Sequence, residues 1–160
     1  MKHVGNFILK GGTITTVEAS IYESRRGIAE TNTFDLEFDN GLSLKVKAIF
    51  TTNLSQIEVK EEDEEGRVVL AIDGYGRFQF IGEDKEIVFE GQWETVEGTR
   101  VVIYNNLISE LILPCEFSGF GANSHTKQTI SGIMTPKLTG FDESGTGIYE
   151  IFGEGVISDK

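Results

Sequence analysis

Side chains able to do acid–base or nucleophilic chemistry are few in this chain. It has two histidines, His3 and His125, and one cysteine, Cys115. His125 stands in Gly121-Ala122-Asn123-Ser124-His125-Thr126-Lys127, among hydroxyls and an amide, in a loop approaching a strand. An imidazole there could serve as a general base or a metal ligand. Paired with Cys115, it could activate a thiolate nucleophile. The plainer expectation is a polar loop histidine and a small core cysteine. His3, beside the terminus, is expected to be solvated. Glu150 shares one face of an apolar alternating run with Ile148 and Phe152. Were that face turned inward, desolvation would raise the carboxyl pKa and make Glu150 a candidate acid. Tyr149 and Ile151 occupy the opposite face. If those two point inward, Glu150 is exposed, and this is the expected arrangement. Arg25-Arg26 could clamp an anionic ligand in bidentate fashion, or simply balance Glu23 and Glu30. The catalytic candidates are therefore Glu150, His125 and Tyr149.

Familiar signatures are missing. There is no glycine loop followed by Lys-Ser/Thr, no nucleophile elbow and no two-histidine zinc motif. Asp142-Glu143-Ser144-Gly145 lacks the spacing of a calcium loop. With one cysteine, neither an intrachain disulfide framework nor a multi-cysteine metal site can be built. No cofactor and no metal are expected.

The 160 residues carry 26 acidic and 14 basic side chains, a formal net charge of −12. Such a surface repels phosphate backbones and anionic headgroups, which disfavours nucleic acid and membrane as partners. No signal peptide or membrane span is apparent, so cytoplasmic residence is the default expectation. Eleven phenylalanines within a 39% hydrophobic composition supply material for one sizeable core. One domain over 1–160 is expected.

Glycine recurs between apolar, β-branched or aromatic runs that alternate with period two, the pattern of short antiparallel strands. A hairpin is expected through the three-residue loop Asp39-Asn40-Gly41. That register pairs Phe38 with Leu42, Leu36 with Leu44 and Phe34 with Val46, and sets Asp35 against Lys45 outside. A two-residue loop would set Phe38 against Ser43, so the longer loop should win, with Gly41 supplying the left-handed residue. A second hairpin is expected at Gly74-Tyr75-Gly76, setting Ile72 against Phe78 and Leu70 against Phe80. A third, from 87 to 103, turns at Glu97-Gly98. Further strands are expected at 3–9, 13–22, 56–60, 126–134 and 147–157. A helical turn is placed at 105–113, where Leu107, Ile108 and Leu111 fall at helical spacings. Glu61-Glu62-Asp63-Glu64-Glu65 reads as a solvated hairpin tip. The glycine-rich stretch from Phe117 to Gly147 reads as a long, partly irregular loop region.

About ten strands are too many for one flat sheet of this size, and closure removes exposed edges. The expected fold is all-β: an antiparallel β-barrel or flattened barrel of lipocalin/calycin-like architecture, with a two-sheet sandwich as the alternative. Gly91-Gln92-Trp93 has the Gly-x-Trp of lipocalins, but it lies mid-chain rather than in the first strand, and no family is assigned on three residues. Aromatic inner faces suggest non-covalent binding of a small, largely apolar ligand, lined by Trp93, Phe89, Phe78 and Phe80, with Arg25 as its charged contact. The alternatives are a cavity-type enzyme (isomerase, cyclase or hydrolase) with few catalytic groups, and a domain that self-associates through an exposed edge or apolar face.

Overall fold

A computed structural model describes residues 3–18, 24–122 and 127–159. Its elements are ten antiparallel strands: β1 (Gly5–Val17), β2 (Arg26–Phe38), β3 (Ser43–Glu62), β4 (Val68–Gly82), β5 (Ile87–Thr95), β6 (Arg100–Tyr104), β7 (Leu107–Ile112), β8 (Cys115–Gly121), β9 (Gln128–Phe141) and β10 (Gly147–Asp159). They form one sheet in which β1-β2-β3-β4-β5-β8-β9-β10 closes on itself through β10–β1 pairing. The result is a barrel-like ring of eight strands.

The first hairpin has the expected register. Leu36 lies opposite Leu44, Phe34 opposite Val46 and Asp35 opposite Lys45. The Phe38 N–H donates to Leu42 O at 2.8 Å. Gly41 has φ +87, a conformation that L side chains avoid. On the outside, the Lys45 ammonium reaches Asp35 at 3.0 Å, and this carboxylate holds the Lys45 pKa above its ordinary value. The acidic run behaves as a solvated tip: Glu61 to Glu65 are all exposed, at the end of β3 and in the turn that follows it.

Other local expectations are corrected. Gly74-Tyr75-Gly76 is not a turn, because Val68–Gly82 is one continuous strand. Neither glycine has the positive φ of a tight reversal. Ile72 instead faces Ile57 on β3, and Phe78 faces Phe50 and Gly91 on its two sides. The expected third hairpin is also absent. β5 and β6 both run antiparallel to β4, along successive stretches of the same edge. Where the ladder breaks between them, hydroxyls repair it: the Gly74 N–H donates to Thr95 Oγ1 and the Ile72 N–H to Thr99 Oγ1, each at 3.0 Å. Residues 107–112 are strand β7 rather than a helical turn; Asn105 and Asn106, with φ 53 and 63, make the reversal from β6. β7 and β8 follow one another along β9 in the same manner. The stretch from Phe117 onward, read as irregular, is largely ladder in β8 and β9. Counted as paths, the chain makes eight long up-and-down passes.

Inward side chains fill the ring. The main cluster includes Phe34, Phe78, Phe80, Phe89 and Phe117, none more than 3% exposed. Phe117 meets Phe78 edge-on, with centroids 5.5 Å apart, and Phe34 meets Phe80 at 5.9 Å and 88°. These are the favoured T-shaped arrangements of aromatic quadrupoles. A second cluster of Leu54, Leu70, Ile72 and Val101 lies toward the β6–β7 end. Several inner aromatics stand directly across a strand from glycine: Phe7 from Gly155, Phe78 from Gly91, Trp93 from Gly76 and Phe117 from Gly132. At Gly155 and Gly76 the ring of Phe7 and the indole of Trp93 lie where a Cβ would stand.

Candidate functional site

The seat of Trp93 explains Gly74-Tyr75-Gly76. The indole lies over both glycines, and its Nε1 donates to Thr51 O on β3 at 3.0 Å. A Cβ at Gly76 would overlap that same carbonyl oxygen. The two glycines thus make room for an aromatic side chain, and Tyr75 between them points outward and is 53% exposed.

Tyr75 stands in a depression of about 970 Å³ on the outer face of the ring, crossing β3, β4, β5, β8 and β9. Two rows of outward side chains frame it. One row passes from Asn53 to Tyr75, Glu94, Glu116 and Ile133 by direct cross-strand pairing. The other passes from Arg77 to Gln92, Ser118 and Ser131. The row between them (Gly76, Trp93, Phe117, Gly132) turns its side chains inward, so backbone forms the floor. Four strand intervals at ~4.8 Å give the groove a length of ~19 Å.

Apart from Thr51 and Trp93, which are bonded within the protein, the polar side chains of this groove are unspent. Ion pairs form elsewhere on the surface, as between Lys10 and Glu37 or Arg100 and Glu110, each at 3.1 Å. Within the groove, and among the described residues, the side chains of Asn53, Arg77, Gln92, Glu94 and Glu116 make no hydrogen bond or ion pair with the protein. Glu94 and Glu116 also stand directly opposite each other, and like charges in that position destabilise a sheet. Alternation along β4, β5 and β8 marks these residues as outward. The sequence carries no signal that the three strands lie side by side.

The residues singled out from sequence are dispersed. Phe78, Phe80 and Phe89 are at most 1% exposed and pack within the main cluster. Trp93 is partly buried, and of the aromatic set it alone borders the groove. Arg25 is exposed, adopts φ 60, and its carbonyl accepts the Leu54 N–H at 2.7 Å, tying the start of β2 to β3. Glu150 and Tyr149 point to opposite faces of β10, since Ile151, two residues from Tyr149, is buried and Phe152, two from Glu150, is exposed. They share no pocket. Burial raises the Tyr149 pKa. His125 lies outside the described residues. His3 packs its ring 5.3 Å from that of Phe38 rather than standing free in solvent. No group of three or more metal-ligating side chains occurs among the described residues.

Cys115 is a core residue. It is 6% exposed, its Sγ donates to Leu113 O at 3.1 Å, and burial pushes the thiol pKa up to about 12. The thiolate is the reactive form. A disulfide reagent at neutral pH is therefore expected to leave the native protein unmodified and to label it promptly in denaturant. Fast labelling of the folded protein would contradict this placement.

No family model, curated protein or solved structure matches the chain at a significant level.

Proposed function

We propose that the protein is a non-covalent binding module and that its ligand lies in the outer groove, across β3, β4, β5, β8 and β9. The supporting observation is the convergence of unpartnered amide, carboxylate and guanidinium groups around one exposed aromatic ring. Polar groups placed without internal partners can bind a ligand by exchanging water for it, with no protein hydrogen bond to break. A small apolar ligand inside the ring is a weaker reading, because the phenylalanines that would line its cavity are packed on one another. An enzymatic reading needs at least two reactive groups in one place, and Glu150 and Tyr149 do not provide them.

Amide chemical shifts test this against four probe classes: neutral oligosaccharides, nucleotides, tripeptides and medium-chain fatty acids. A binding probe is expected to perturb residues 51–53, 75–77, 92–94 and 116–118, and Arg77→Ala is expected to weaken that response. A fatty acid perturbing residues 78, 80 and 89 instead would move the ligand to the interior and overturn the proposal.

A further inference from the structure

Resting on the groove as binding face, we infer that its ligand is a short, unbranched, uncharged saccharide chain lying across the strands. Four physical features select this class. First, the groove offers one guanidinium and two carboxylates within a chain of net charge −12. A phosphorylated or polyanionic ligand would meet net repulsion there. Second, β3, β4, β5, β8 and β9 are each paired on both sides along this stretch. An extended peptide therefore finds no open edge on which to add as a strand.

Third, the donors and acceptors are mixed. Glu94 and Glu116 only accept, Arg77 only donates, and Asn53, Gln92, Ser118 and Ser131 do both. A sugar hydroxyl also does both, and two vicinal hydroxyls match the bidentate spacing of a carboxylate, an amide or a guanidinium. Hydroxyl donors placed between Glu94 and Glu116 would relieve the opposed carboxylates that the unliganded sheet tolerates. Fourth, the exposed Tyr75 ring gives an apolar platform flanked by polar groups. A pyranose ring has the matching character: a face of C–H bonds carrying slight positive charge, which packs on the negative face of an aromatic ring, and a rim of hydroxyls. The other apolar side chains of the groove are Ile133, at one end, the partly buried Trp93 and the buried Phe117. A groove of ~19 Å accommodates several sugar rings end to end, so the affinity should grow with chain length until the groove is filled.

The test titrates uncharged glucose, mannose and galactose oligomers, from monosaccharide to hexasaccharide, into the full chain, read by calorimetry and amide shifts. The expected result is affinity that rises from mono- to tetrasaccharide and then levels off. Tyr75→Ala should weaken it at least tenfold, equivalent to ~1.4 kcal/mol, and Glu94→Gln should weaken it as well. Gln79→Ala, on the same outer face outside the groove, should leave it unchanged. Thermal midpoints of all three variants verify that they are folded. If no uncharged saccharide binds while a nucleotide or tripeptide perturbs the groove, the saccharide assignment fails and the groove proposal stands. If none of these probes perturbs the groove, both fail.

Discussion

Gly91→Ala is expected to destabilise the protein by more than about 3 kcal/mol, enough to leave a marginally stable domain largely unfolded. Gly91 on β5 lies directly opposite Gly119 on β8, with the two backbones pressed together. A Cβ at Gly91 would overlap Ser118 O, and one at Gly119 would overlap Glu90 O. The obstacle in both cases is backbone in a hydrogen-bonded ladder, so relief requires strands to part rather than a side chain to rotate. The same relation holds for Gly132 and Gly155, where the overlapped atoms are Glu154 O and Ser131 O. Gly119→Ala should therefore behave like Gly91→Ala. Gly140→Ala is the control: no atom comes near its added carbon and its φ is not positive, so its effect should fall within about 0.5 kcal/mol of zero. Urea unfolding of the three variants reads the difference directly. A Gly91→Ala protein as stable as Gly140→Ala would mean that β5 and β8 do not approach as described.

Phe80→Ala is expected to cost about 3–5 kcal/mol, the range for deleting a large aromatic side chain from a packed core. Phe80 is 0% exposed, sits across the strands from Ala48 and Phe89, and meets the rings of Phe34, Phe78 and Phe117. Truncation would leave a void bounded by three other aromatic rings, which cannot all move in to fill it. Tyr75→Ala, on the outward face of the same strand, should change stability by no more than about 0.5 kcal/mol. The contrast between two aromatic residues five positions apart tests the inward and outward faces of β4. It bears on function as well. A loss below about 1 kcal/mol for Phe80→Ala would mean that the interior already holds space, and the ligand would then belong inside the ring.

Which side chains point inward was legible from the sequence wherever alternation was unbroken. Phe34, Leu36 and Phe38, then Val68, Leu70 and Ile72, then Phe78 and Phe80 were each recognisable as one face, and each set is buried or nearly so. The first hairpin was legible in full because a three-residue loop with glycine at its end fixes one register, and the wrong register would bury Ser43 and Lys45. The site was not legible. Its outward polar residues look like any solvated strand face, and what distinguishes them is that neighbours on β3, β4, β5, β8 and β9 lie beside one another.

The amino-acid sequence by itself determined the strand character of the runs with unbroken alternation, their inner and outer faces, and the turn at Asn40-Gly41, because these depend on interactions within a few residues. The tertiary structure decided where strands continue and where they reverse. Gly74-Tyr75-Gly76 has the composition of a turn, yet it stays extended because the Trp93 indole from β5 occupies the space above its glycines. Ring closure likewise joins Gly5 to Ile157 and Phe7 to Gly155, pairings between opposite ends of the chain that no local pattern encodes. Both outcomes rest on burial and hydrogen bonding between distant segments, and the outer groove exists only because those segments meet.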